Sequence, residues 1–246
     1  MAVDLTPGPI ALVGSGEYLP VMLEVERHLI EGRPPRYVQI PTAAAPEGPA
    51  VLAKWTRLGA EQAERLGVEA VPLLVHDRAD ADDPAIAEQV RGAGLVYMSG
   101  GNPGHLAGAL RDSALWSEVL AAWRGGAALA GCSAGAMAMT GWVPNVRAMH
   151  RPIDPGLGLL PHLRVIPHFD KMLGWAPDLL TRVLLHAPEG VTVLGIDEDT
   201  ALVGGPFEWT VMGRQSVWTL GHGSRVEHRP GSTVVTAGGE SHRVHA

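Results

Sequence analysis

The chain has 246 residues, 46% of them apolar, with 19 basic and 26 acidic side chains and a net charge of −7. That is ample material for a packed core, and the acidic balance, with no run of Lys or Arg, excludes the basic stripe of a nucleic-acid binder. Lysine is reduced to Lys54 and Lys171, so no Gly-Lys-Ser/Thr phosphate loop exists.

The lone cysteine, Cys132, excludes an intramolecular disulfide and a multi-cysteine zinc site, and it fits a reducing compartment. No apolar run reaches the ~18 residues of a membrane span. Met1 to Pro9 lacks a basic stretch ahead of an apolar one, so no signal peptide is expected and the cytoplasm is the expected location. The 31 glycines and 20 prolines predict many tight turns.

In chain order, Pro9 to Val13 reads as a buried strand and Leu19 to Ile30 as an amphipathic helix that stops at Gly32. A strand over Arg36 to Ile40 and a helix over Ala50 to Leu66 follow. Val68 to Val75 is a third strand, and an acidic turn over Asp77 to Asp83 leads into a helix from Ala85 to Arg91. Leu95 to Met98 is the fourth strand. Helices from His105 to Leu110 and from Ser113 to Arg124 precede the fifth, Ala127 to Ala130. Apolar runs alternating with amphipathic helices predict a mostly parallel sheet covered on both faces, a three-layer α/β/α sandwich.

The C-terminal third changes character. Leu163 to Pro167 and Val191 to Ile196 read as strands separated by a helix over Pro177 to His186. Ala201 to Val203, Thr210 to Met212, Ser216 to Leu220 and Ser232 to Ala237 are turn-rich β segments that suit antiparallel hairpins. With no internal repeat and no long linker, residues 1–246 are expected to form a single domain.

Gly131-Cys132-Ser133-Ala134-Gly135 is a Gly-x-Ser-x-Gly pattern directly after a buried strand and before a helix of small residues. That is the context of a nucleophile elbow, a strained turn that exposes the central serine. The helix behind Ser133 offers free N–H groups to a developing oxyanion, the Ala134 N–H first. A glycine-rich turn without chemistry is the alternative. Cys132 would point into the sheet, where a free cysteine behaves as a small hydrophobe.

A second glycine cluster, Ser99-Gly100-Gly101-Asn102, ends the preceding strand and would face the elbow along the carboxyl edge of the sheet. Its backbone N–H groups suit the other half of an oxyanion hole. His168 stands just past the strand ending at Ile166 and Pro167, which puts a candidate general base at the same edge.

These stretches, with Gly156-Leu-Gly-Leu159, Ile166-Pro-His-Phe169 and Gly195-Ile-Asp-Glu-Asp-Thr-Ala201, resemble in order the serine-peptidase family of dipeptidase E (aspartyl dipeptidase) and cyanophycinase. The resemblance spans about Ile10 to Leu220. It implies a class I glutamine-amidotransferase-like fold, with Ser133 as nucleophile, His168 as general base and Gly101 with Ala134 as oxyanion donors. It further implies hydrolysis of small aspartyl or β-aspartyl peptides without a cofactor or metal.

The family places an acid between serine and histidine. There Asp154 is the only carboxylate, and His150 stands where the acid is expected. Asp154 is therefore the first candidate, with a Ser–His dyad and Glu198 as the alternatives. Asn102 and Arg151 are candidate substrate contacts, and Arg147 and Lys171 are further cations close in sequence. The partner expected is a small peptide rather than nucleic acid or membrane, and a homodimer is compatible with the sequence.

Two other readings compete. An α/β-hydrolase esterase would use Ser133, Asp197 and His222 in that order, although no upstream oxyanion motif supports it. A non-catalytic or altered member of the same fold would keep the elbow without a working triad.

Overall fold

The computed structural model describes residues 6–144, 153–175, 187–221 and 224–236. In its first half, strands β1 (Ile10–Val13), β2 (Arg36–Ile40), β3 (Glu69–Pro72), β4 (Leu95–Met98) and β5 (Ala128–Cys132) alternate with helices. Those helices are α1 (Leu23–Ile30), α2 (Pro49–Leu66), α3 (Arg78–Ala81), α4 (Pro84–Ala87), α5 (Pro103–Leu110), α6 (Ala114–Arg124) and α7 (Ala134–Ala138). The ends follow local chemistry. Pro49 opens α2 and Gly67, at φ +70°, closes it in the left-handed region. Ser113 caps α6 by accepting the Trp116 N–H at 3.0 Å.

The second half holds β6 (Trp142–Pro144), β7 (Ile153–Pro155), β8 (Leu163–Ile166), α8 (Phe169–Trp175), β9 (Thr192–Ile196), β10 (Thr200–Gly204), β11 (Glu208–Gly213), β12 (Val217–Gly221), β13 (Ser224–His228) and β14 (Thr233–Val235). Strands β6 and β7 form a small antiparallel ribbon.

The large sheet runs β14-β11-β10-β1-β5-β4-β2-β3. Its pairings among β1 to β5 are all parallel, as the alternation of strand and helix predicts. Strands β10, β11 and β14 extend it antiparallel from the edge of β1. A second sheet, β13-β12-β9-β8, joins the parallel pair β8 and β9 to the β12–β13 hairpin. Antiparallel hairpins form in the C-terminal third as expected: β10–β11 joins two predicted segments, whereas β12 pairs with β13, a strand the sequence did not mark.

Side chains along the central strands serve two cores in turn, because successive residues face opposite sides. Ile10, Leu12, Val96, Met98 and Leu129 pack with α3 to α7, whereas Ala11, Val13, Leu95, Tyr97 and Cys132 pack with α1 and α2. This double burial explains why the strands read as continuous apolar runs, and it makes the three layers. Leu163, Val165, Leu194 and Ile196 of the second sheet join the first of these cores.

Some boundaries differ from expectation. The third strand ends at Pro72, a residue with no N–H to offer a ladder. The helix predicted over Ala85 to Arg91 is a four-residue α4 followed by a 3₁₀ turn over Glu88–Val90. The helix expected over Pro177 to His186 lies outside the described residues. Three short or marginal strands, β6, β7 and β13, and the helix α8 had no counterpart in the sequence reading.

Candidate active site

The carboxyl ends of β1, β4, β5, β8 and β9 converge. The loop after β1 ties them together: Gly14 O accepts the His168 N–H at 3.3 Å, and Ser15 O accepts the Asp199 N–H at 3.2 Å. Glu17, in the same loop, accepts the Gly100 N–H at 2.9 Å. Five strand ends therefore present their loops to one place, as open α/β sheets do.

Ser133 joins β5 to α7 with φ +49° and ψ −105°, outside the regions that side chains ordinarily occupy. The flanking glycines are required by close approach. A Cβ on Gly131 would lie 2.5 Å from the Gly135 carbonyl carbon, and one on Gly135 would lie 2.3 Å from Met98 O. The Gly-x-Ser-x-Gly spacing is thus the steric condition for turning a strand into a helix against β4.

His168 also has a left-handed backbone, at φ +49°, and its carbonyl accepts the Lys171 and Met172 N–H groups at the start of α8. Its Nε2 lies 3.1 Å from Ser133 Oγ. On the other side of the ring, Nδ1 lies 3.0 Å from Glu198 Oε1. A carboxylate only accepts, so Nδ1 carries the proton, and Nε2 of the neutral ring is the acceptor for the serine hydroxyl. Both His168 and Glu198 are about one-third exposed, so the array is open to a ligand.

The Glu198 backbone is fixed from three directions. Its N–H donates to Asp170 Oδ1 at 3.0 Å, and its carbonyl accepts from Thr200 Oγ1 and Gln215 Nε2 at 3.0 and 2.9 Å. Asp170 belongs to the first turn of α8, two residues beyond His168, so one carboxylate links the segments that carry the histidine and the glutamate.

Asp154, the first candidate for the orienting acid, is placed elsewhere. It pairs with Val143 in the β6–β7 ribbon, and its Oδ2 lies 3.6 Å from where a Gly104 Cβ would stand, beside Asn102. The acid at His168 is Glu198, supplied after the histidine in sequence rather than before it. The resemblance drew attention upstream. The available signal was the acidic triplet Asp197-Glu198-Asp199 ending an apolar strand, the same edge logic that picks out His168.

Other candidates separate as clearly. Asn102 Oδ1 accepts the His105 N–H at 3.0 Å and caps α5, so that oxygen is already engaged. Lys171, about half exposed, lies 3.7 Å from Asp170. Asp197 accepts from Trp218 Nε1 at 3.1 Å and from the Ser216 N–H at 3.2 Å. It is tied into the second sheet, and burial raises its carboxyl pKa. Arg147, His150, Arg151 and His222 lie outside the described residues. Cys132 is buried, its Sγ–H donating to Glu17 Oε2 at 2.9 Å, and burial pushes its thiol pKa well up.

The N–H groups of the glycine loop are allocated one by one. Ser99 N–H donates to Ile40 O, Gly100 N–H to Glu17 and Asn102 N–H to Ala43 O. Only the exposed Gly101 N–H in this run has no partner among the described residues. The Ala134 N–H is the first of α7, where no preceding helical carbonyl exists to receive it. Among the described residues no group of three or more His, Cys, Asp or Glu is arranged to hold a metal ion, and no helix is long and apolar enough to cross a membrane.

Similarity to known proteins points the same way. A solved structure of a peptidase from an acI-B1 Actinobacterium has a TM-score of 0.87 and 41% identity, covering 94% of this chain and 98% of that one. A putative peptidase E protein from Listeria monocytogenes EGD-e shares the fold at a TM-score of 0.57 and 16% identity, over 91% and 99% of the two chains. Cyanophycinase of Trichormus variabilis is 29% identical over 193 residues, 74% of this chain and 62% of that protein. Cyanophycinase of Synechococcus elongatus is 32% identical over 164 residues, 62% of this chain and 49% of that protein. The chain thus spans about half to three-fifths of the length of these curated relatives. Residues 10–205 match the family model of Peptidase family S51, and the chain belongs to that family.

Proposed function

We propose that the protein is a serine peptidase that hydrolyses small aspartyl or β-aspartyl peptides through an acyl-enzyme on Ser133. The observation that carries this reading is the continuous hydrogen-bonded array Ser133 Oγ, His168 Nε2, His168 Nδ1 and Glu198 Oε1, at 3.1 and 3.0 Å. The aspartyl preference rests on the family resemblance.

In this mechanism Ser133 Oγ attacks the peptide carbonyl as His168 Nε2 takes its proton, giving a tetrahedral oxyanion. The Gly101 and Ala134 N–H groups receive that oxyanion. His168 then returns the proton to the leaving amine, which departs and leaves an ester on Ser133. Water, deprotonated by the same ring, attacks the ester and releases the acid. Glu198 holds the imidazole in the tautomer that accepts at Nε2 and stabilises the imidazolium in between.

Labelling with a fluorophosphonate, followed by a panel of aspartyl and β-aspartyl dipeptides, tests the reading. Wild type should label and turn over peptide, Ser133→Ala should do neither, and His168→Ala should lose turnover. A wild-type protein that neither labels nor cleaves any peptide would move the assignment to a member of the fold without peptidase activity.

A further inference from the structure

The loop after β1 carries a carboxylate that the chemistry above leaves unassigned. Glu17 is partly buried and bridges the loop after β4 and the end of β5. Its Oε1 accepts the Gly100 N–H and its Oε2 accepts the Cys132 Sγ–H, both at 2.9 Å. A Cβ built on Gly100 would lie 2.7 Å from Glu17 Oε1 and 3.6 Å from Ser133 Cβ. Gly100 thus lies between the carboxylate and the elbow, and a side chain there would push the Glu17 carboxylate aside.

These contacts decide which amide of the glycine loop faces the substrate. Gly101 lies at φ +137°, a conformation open to it because it has no Cβ, and for the same reason the peptide planes on either side of it turn more freely than those beside other residues. Glu17 anchors the Gly100 N–H on one side of Gly101, and Ala43 O anchors the Asn102 N–H at 2.8 Å on the other. With both flanks held, the Gly101 N–H is the one that points outward. The Cys132 thiol, one residue before the nucleophile, fixes the other carboxylate oxygen and so sets the glycine loop relative to the elbow.

From this arrangement we infer that Glu17 is a positioning residue for the oxyanion site: it clamps the Gly100 N–H and the Cys132 thiol so that the Gly101 N–H is held opposite that of Ala134. It touches no reacting atom in this role. The inference rests on the serine-peptidase reading and adds to it a residue outside the Ser–His–Glu array.

The test is the kinetics of Ser133 phosphonylation by a fluorophosphonate over a concentration series, with Ser133→Ala as the blank and thermal melts as the folding control. Glu17→Ala frees the Gly100 peptide, and the maximal labelling rate should fall about 10–100-fold, the scale of a small misplacement at a reacting centre, with the half-saturating concentration little changed. Glu17→Gln keeps an oxygen for Gly100 and should recover most of that rate. If Glu17→Ala melts below the assay temperature, Glu17→Met fills the same space with only a weak acceptor and takes its place in the comparison. Labelling of Glu17→Ala at the wild-type rate overturns the inference. So does an equal loss in Glu17→Gln, which would make the charge the working feature, or a change confined to the half-saturating concentration. A wild type that does not label refutes the nucleophile assignment and this inference with it, whereas a labelling wild type with an unaffected Glu17→Ala refutes the clamp alone.

Discussion

His168 Nδ1 and Glu198 Oε1 stand 3.0 Å apart, each just beyond the end of one of two neighbouring parallel strands, β8 and β9. Parallel pairing is what brings an acid 30 residues later in sequence to the far nitrogen of the ring. Glu198→Gln should therefore lower turnover by up to ~10⁴, because a neutral amide also supports the tautomer in which Nε2 carries the proton. Asp154→Asn should leave turnover close to wild type. Both variants should melt close to wild type, and steady-state rates on one dipeptide decide between the two carboxylates.

Cys132 should be a bystander to alkylating reagents. Its thiol is buried, donates to Glu17, and is pushed well above its ordinary pKa by burial, so little thiolate is present near neutral pH. Iodoacetamide at pH 7 should leave both fluorophosphonate labelling and peptide turnover intact. Rapid inactivation together with mass-spectrometric modification of Cys132 would contradict this.

Gly101→Ala should damage both folding and chemistry. A Cβ at φ +137° would lie 2.4 Å from Ala43 O, and the backbone strain alone costs about 1–3 kcal/mol. Relief requires the loop to move, which carries its N–H away from the position opposite Ala134. A lowered melting temperature accompanied by a larger proportional loss of labelling rate is the expected pair of results.

Glu26 gives the fold a pH dependence that is separate from catalysis. The side chain is buried in α1, accepts from Tyr37 Oη at 3.2 Å, and burial raises its pKa to about 8. The folded protein therefore holds a proton on Glu26 at neutral pH that the unfolded chain releases. Its favourable contribution is fully present below the ordinary carboxyl pKa and is lost as pH rises through about 8. Urea midpoints should fall over that window in wild type, and the fall should flatten in Glu26→Gln. A pH profile unchanged by the substitution would count against a buried neutral acid.

Much of this was legible in the chain because the determinants are local. Apolar runs on β1, β4 and β5 reflect burial on both faces, and the elbow glycines answer to contacts with residues four positions apart or on the adjacent strand. Ser133 and His168 could be put at one edge by asking only where strands end. Glu198 needed more, namely the knowledge that β8 and β9 pair in parallel, and that pairing is made across a connection whose length says nothing about register. Glu17 was harder still: a lone acid after a strand has no periodic or motif signal, and its importance comes from what two other strand ends, those of β4 and β5, bring to it. Asn102 reads the same way as a cap or as a ligand contact until the His105 N–H is seen on its oxygen.

The proposed nucleophile and its proposed base are borne by different sheets. Ser133 closes β5 of the large sheet, whereas His168 and Glu198 close β8 and β9 of the small one. The Ser133–His168 hydrogen bond spans that seam, and Leu12 and Leu129 of the large sheet share one apolar core with Val165 and Leu194 of the small one. A slide of one sheet over the other by a single ångström would separate the pair while leaving nearly all backbone hydrogen bonds made. Catalysis is therefore expected to disappear at lower urea than secondary structure does, making loss of activity an early gauge of loosening between the sheets.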